Sequence, residues 1–155
     1  MTARFLACVL ALALSACEVP SPELSEAEVQ DFVREYIAAG NTANSSKVMG
    51  FILRDEAVTS AGLGVIYRGW KAIHAATDAA YTQNVRVKVT LEKMDVMRVG
   101  SDTALAVAPI SVSTNQPVET ARGPTSSSSG AMSVLVKRTP DGLRVIHEHY
   151  SLSTF

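Results

Sequence analysis

The stretch Asp141-Gly-Leu-Arg-Val-Ile-His-Glu-His-Tyr-Ser-Leu-Ser-Thr154 decides how the chain is read. Its Asp141-Gly142 pair is a tight-turn signal, and the residues after it alternate in the manner of a strand. Successive strand side chains point to opposite faces, so this spacing predicts Leu143, Val145, His147, His149 and Ser151 on one face. Arg144, Ile146, Glu148, Tyr150 and Leu152 then fall on the other. Two histidines one residue apart are thereby predicted to share one space, and what that space holds is the functional question.

Upstream, the same period of two recurs. Val85, Val87, Val89 and Leu91 alternate with Arg86, Lys88, Thr90 and Glu92, which predicts a half-buried strand that extends, with a bulge near Lys93, towards Val99. Gly100-Ser-Asp102 predicts a turn, residues 103–113 the next strand and residues 131–139 another. Between those two lies a polar segment, residues 114–130 with four consecutive serines at 126–129, which reads as a long hairpin loop.

Before residue 84 the period is helical. Ser25 and Glu28 form the Ser-x-x-Glu capping pattern, with Leu24 and Val29 placed as a hydrophobic staple. Val29, Phe32, Val33, Tyr36 and Ile37 share one helical face, and Gly40-Asn41 supplies the stop. A short helix is predicted over residues 45–53, two extended pieces over residues 57–61 and 65–67, and a third helix from Gly69-Trp70 to about Tyr81. Helices first and long hairpins afterwards predict an α+β domain, a curved antiparallel sheet wrapped around three N-terminal helices.

The N-terminus has a different character. Residues 5–14 are almost wholly apolar, but a membrane-spanning helix needs about 20 such residues. A short apolar run after Arg4 and before small residues reads as a signal peptide over residues 1–16. The tetrad Leu14-Ser15-Ala16-Cys17 resembles the lipobox of bacterial lipoproteins, which implies cleavage before Cys17 and acyl chains on its sulfur. Pro20 and Pro22 mark residues 17–23 as an extended lipidated tether. Glu18 follows the cysteine where inner-membrane retention in such lipoproteins typically has Asp, which points to the periplasmic face of the outer membrane. Cys8 falls in the removed segment, so the mature chain is expected to have no disulfide. Removing residues 1–16 takes away one basic residue, leaving 13 basic against 15 acidic side chains. With no basic cluster, nucleic acid is not an expected partner.

The order of elements and the closing strand resemble the nuclear transport factor 2-like superfamily, and more narrowly its SnoaL-like group. That group often ends in Gly-Trp-x-Ile-x-His-x-His-x-Ser, and Gly142, Val145, His147, His149 and Ser151 fit, with Leu143 in place of the tryptophan. Gly69 and Ile73 likewise fit the Gly-x-x-x-Ile start of a helix in that group. The resemblance covers roughly residues 24–154. It implies a cone-shaped fold with a pocket, and frequent homodimers through the outer face of the sheet. Its members include isomerases, cyclases, hydrolases and non-catalytic binding or assembly modules, so the fold does not choose among these activities.

The chemistry is therefore weighed residue by residue. Tyr36, Trp70, His147 and His149 are the candidate ligand-pocket residues, and His147 and His149 are the candidates for a general base. His147 and His149 could reach one ion, but zinc requires three or four ligands and no spacing places His74, Glu56 or Asp78 as the third, so no metal and no cofactor is expected. The expectation is an envelope lipoprotein whose pocket binds a small apolar or amphipathic ligand, or a protein partner, without turnover. The alternatives are an enzyme using a pocket histidine as base and a structural dimer or assembly subunit.

Overall fold

A computed structural model describes residues 23–83, 86–118 and 123–153. The signal-peptide residues 1–16, Cys17 and the tether as far as Pro22 lie outside the described residues. The described chain has three helices and seven strands in the order α1 (Glu26–Gly40), α2 (Ser45–Met49), β1 (Thr59–Gly62), β2 (Val65–Arg68), α3 (Trp70–Tyr81), β3 (Val87–Leu91), β4 (Asp95–Arg98), β5 (Thr103–Val118), β6 (Thr125–Thr139) and β7 (Gly142–Leu152). None of the described helices is long and apolar enough to cross a membrane.

The expected α+β fold, a curved open sheet against three helices, is the observed one. The strand order is β2-β1-β7-β6-β5-β3, with β4 also on β5. All pairings are antiparallel except β1 against β7, which is parallel and makes the sheet mixed. The inner face carries the core, with Ala104, Ala106, Ala108 and Ile110 of β5 opposite Val136, Val134, Met132 and Gly130 of β6. Val29, Val33 and Tyr36 of α1 are buried in the same apolar cluster. The alanines of β5 are small enough to let the helical layer approach the sheet closely.

α1 starts as the sequence predicts: Ser25 accepts a 3.2 Å bond from the Glu28 amide. Glu28 does not turn back to complete the capping pattern. Its carboxylate takes the Arg138 guanidinium of β6 at 2.7 Å, tying the start of α1 to the sheet.

Three predicted boundaries are corrected. The helix expected over residues 45–53 ends at Met49, because the chain beyond it joins the sheet edge. Phe51 O accepts from Val145 N at 2.8 Å, and Leu53 N donates to Val145 O at 3.0 Å. The polar segment 114–130 is mostly strand rather than loop. Ser111↔Ser129, Ser113↔Ser127 and Val118↔Thr125 are paired, so polarity there marks a hairpin hydrated on its faces and not an absence of ladder bonds. The strand expected from residue 85 to Val99 divides into β3 and β4. Both pair with β5, and Pro109, which has no N–H to give, falls in the interval between the two partners.

β7 carries the decisive irregularity. Val145 pairs with Val136, but the next β6 residue, Leu135, pairs with His147, so Ile146 is an extra residue in β7. The inward phase therefore changes. Leu143 and Val145 are buried before the bulge, and Glu148 is buried after it.

Candidate functional site

The bulge at Ile146 overturns the predicted faces of the closing strand. His147 and His149 leave the inner face, and Glu148 and Tyr150 take it. His147 Nδ1 lies 2.6 Å from Thr59 Oγ1, its neighbour across the parallel β1–β7 pair on the outer face. His149 is exposed and borders a separate cleft beside the β1–β2 hairpin. The expectation that the two histidines line the pocket with Tyr36 and Trp70 is corrected. Trp70 is also elsewhere, in a groove beside α2.

Tyr36 lines a cavity of about 380 Å³ between α1, α3, the β1–β2 hairpin and the inner face of the sheet. The walls are mainly apolar: Ile37, Val48, Val89, Val112 and Leu152 contribute side chains, and Leu63 and Tyr67 of the hairpin stand at its edge. Gly62 leaves room for Tyr150, since a Cβ there would lie 3.3 Å from the Tyr150 carbonyl oxygen. The hairpin turns on Leu63 and Gly64, both left-handed at φ 51° and 80°, as a two-residue turn requires.

Next to this cavity is a polar cluster at its base. Glu148, 6% exposed, accepts from three hydroxyls: Tyr36 Oη at 2.5 Å and Tyr150 Oη at 2.8 Å on Oε2, and Ser60 Oγ at 2.6 Å on Oε1. Buried polar groups must be hydrogen-bonded, and one carboxylate offers about four acceptor positions. Three are occupied by the protein, and the cluster members that line the cavity are the donors Tyr36, Ser60 and Tyr150, with Glu148 behind them. A third tyrosine, Tyr81 of α3, donates to the Gly40 carbonyl at 3.3 Å across the cavity. Among the described residues no group of His, Cys, Asp and Glu is arranged to hold a metal.

Burial first, then the neighbouring Glu148 charge, pushes the Tyr36 and Tyr150 hydroxyls well above the ordinary tyrosine value of 10.0. The same two causes, in the same order, raise Tyr81. All three phenols are therefore hydrogen-bond donors at physiological pH. Unfolded tyrosines ionise near pH 10, so below that pH their contribution to stability is fully present. Above it the unfolded chain releases protons that the folded chain still holds, and stability falls with rising pH until the folded values are passed. Calorimetry should show a steeper loss of Tm above about pH 10 for the wild type than for Tyr36→Phe. Equal slopes would remove this pair as the cause.

Neither Glu148 nor its partners followed from alternation alone. One signal was present: the apolar positions of β7 are odd at Leu143 and Val145 and even at Ile146, Tyr150 and Leu152, a phase change that marks a bulge. The partners Tyr36 and Ser60 lie 112 and 88 residues away, and only the fold brings them in.

The cone, its helices and its cavity define the nuclear transport factor 2-like, or cystatin-like, fold. The chain is similar in structure to an uncharacterized protein with a cystatin-like fold from Caulobacter vibrioides, with TM-score 0.69 and 19% identity over 82% of this chain and 88% of that one. It is similar to an NTF2-like superfamily protein from Salmonella enterica, with TM-score 0.68 and 17% identity over 81% and 89% of the two chains. A proposed dehydratase of the NTF2-like family from Streptomyces avermitilis matches with TM-score 0.70 and 17% identity over 82% and 95%. No family model matches the sequence, and no curated protein does. At these identities the likeness establishes the fold, and activity must be argued from the site.

Proposed function

We propose that this is a lipid-anchored envelope domain of the SnoaL-like group that binds a small, largely apolar ligand carrying one hydrogen-bond donor. The observation that carries the reading is the apolar cavity of about 380 Å³ next to the Glu148–Tyr36–Tyr150–Ser60 cluster. Its volume lies within the range of ligand sites, about 300–1,000 Å³, which speaks against a dry assembly module. Apolar walls supply affinity by burial, and the hydroxyl oxygens of Tyr36, Ser60 and Tyr150, held in place by Glu148, supply orientation by accepting the ligand's donor.

Ala80 is exposed on α3 at the edge of the cavity. Ala80→Trp should therefore obstruct access at little cost to the fold. Titration with 1-aminoanthracene, an apolar fluorophore with one amine donor, is expected to give saturable enhancement with the wild type. The affinity for Ala80→Trp should be weaker by about tenfold or more. Unchanged affinity would place the probe elsewhere.

A second reading, acid–base catalysis, is favoured by one observation, a carboxylate bound to two protonated tyrosines that line an apolar cavity. The base in that reading is Glu148 and not a histidine. Three hydroxyls already occupy Glu148, and it does not itself line the cavity, which is why binding is the preferred reading.

The address rests on Cys17 and the three residues before it. Metabolic labelling with a clickable fatty acid should mark the wild type and leave Cys17→Ser unlabelled; label that persists in the variant would refute the anchor. Homodimerisation through the outer face is part of the same proposal. Met97 and Val99 are exposed, and Leu105, Val107, Leu135 and Ile146 are only partly buried. Native mass spectrometry of the protein from its own envelope reads both the dimer and any co-purifying small molecule.

A further inference from the structure

A second concavity, of about 590 Å³, shares no lining residue with the cavity near Glu148. It lies between α2, the segment that follows it, the start of α3 and the β6–β7 turn. We propose that this groove binds a small organic anion, with a phosphate or carboxylate group held by Arg54 and Arg144 and an apolar body against Trp70.

The two guanidinium groups are placed by different devices. Arg54 Cζ stands 4.8 Å from the centre of the Trp70 ring, a cation–π contact that orients its planar fork. Trp70 is held in turn by its indole N–H on the Met49 carbonyl at 3.5 Å and by the tilted His74 ring at 4.8 Å. Arg144 donates from Nη1 to the Leu143 carbonyl at 2.7 Å, which fixes the guanidinium and leaves its other donors uncommitted. Gly142, whose φ of 103° selects glycine, turns the chain just before this pair, and a Cβ there would be in ordinary contact with Nη1 at 3.7 Å.

Charge balance decides the ligand's sign. Arg34, Arg98 and Arg138 each pair with a carboxylate, on Asp31, Glu23 and Glu28. Among the described residues neither Arg54 nor Arg144 has a carboxylate within 4.0 Å. Asp141 is the one acid that lines the groove. Nearby, Asp78 is paired to His74 at 3.5 Å, and Asp55 Oδ1 accepts from the Ala57 amide at 2.7 Å. Among the lining side chains two arginines stand against one acid, so the wall itself carries the positive excess, with Asp55, Glu56 and Asp78 outside the lining. Arginine forks match the planar or tetrahedral oxygens of carboxylate and phosphate, and Ser46 adds a hydroxyl donor at the wall.

Trp70 is the only tryptophan of the chain, so its fluorescence reports on this groove directly. The full mature protein is titrated at low ionic strength with phenyl phosphate, benzoate, inorganic phosphate and benzyl alcohol. A saturable change with phenyl phosphate or benzoate is expected, and whichever saturates at lower concentration identifies the anionic group. Added salt should weaken it, because the contacts are charge-based and partly exposed. Arg54→Gln and Arg144→Gln should each weaken binding about tenfold or more. Arg54 is exposed, so the first variant tests the site without threatening the fold. Competition by inorganic phosphate would show that the anion contributes the larger share. Three results overturn the proposal: no saturable change up to about 10 mM, affinity retained in both arginine variants, or an equal response to neutral benzyl alcohol.

Discussion

Glu148→Ala is expected to lower the unfolding free energy by about 3 kcal/mol and to weaken 1-aminoanthracene binding by about tenfold or more. Three hydroxyls from three elements, Tyr36 on α1, Ser60 on β1 and Tyr150 on β7, lose their common acceptor at once. Each buried donor left unmatched costs about 1–3 kcal/mol, offset in part because the charge itself no longer has to be buried and water can enter from the cavity. For a domain of this size the loss corresponds to a Tm lower by roughly 10 °C. Tyr36→Phe should cost less, since Tyr150 and Ser60 still serve the carboxylate. The double variant Tyr36→Phe/Glu148→Ala should lose less than the sum of the two, because both remove the same bond. A Glu148→Ala protein with unchanged Tm and unchanged probe affinity would show the cluster to be incidental.

Gly130→Ala is expected to be about as damaging, through sterics alone. Gly130 sits on β6 opposite Leu152, where the end of β7 curls over the inner face. A Cβ there would stand 2.9 Å from the Ser151 carbonyl carbon and 3.0 Å from the Leu152 Cα, with the carbonyl oxygen closer still. Those are backbone atoms of a paired strand, and they can yield only by separating β7 from β6. Overpacking of this kind costs about 1–3 kcal/mol and more when ladder bonds break, so about 3 kcal/mol is expected. Tyr150 and Leu152 line the cavity, so probe binding should fall with stability. Gly64→Ala is the control. Its Cβ would meet nothing within 4 Å, and only the left-handed backbone at φ 80° penalises it, by about 1 kcal/mol. Equal Tm losses in the two variants, measured by calorimetry, would refute the steric account.

Local chemistry was readable wherever neighbours in sequence decide the outcome. Ser25 caps α1, and the helix ends at Gly40 where Gly40-Asn41 stops the pattern. The start of α3 at Gly69-Trp70 follows from glycine and spacing in the same way. Reading failed where a partner distant in sequence decides. Residues 51–53 look helical by period, but Val145 offers them ladder bonds, and the helix stops at Met49. The serines of residues 126–129 look like loop, yet β5 pairs residue for residue with Ser127, Ser128 and Ser129, and Ser126 falls in the irregularity before Thr125.

The candidate site divides along the same line. Tyr36 was readable as a residue on the inner stripe of α1, because helical period places it there. The assignment of the closing strand was inverted by one residue. Alternation assumes that every residue advances the pairing by one, and at Ile146 the β6–β7 ladder does not advance. That single extra residue moves both histidines to the outer face and brings Glu148 in beside three hydroxyls. The sequence by itself determined the elements, their order and the fold they build, because capping, turns and periodicity are local effects. Which face of the last strand meets the cavity, and which carboxylate stands at its base, was decided only when β7 found its register on β6. That register is set by contacts between residues far apart in the chain, and the change of apolar phase at Ile146 is the one local trace of it.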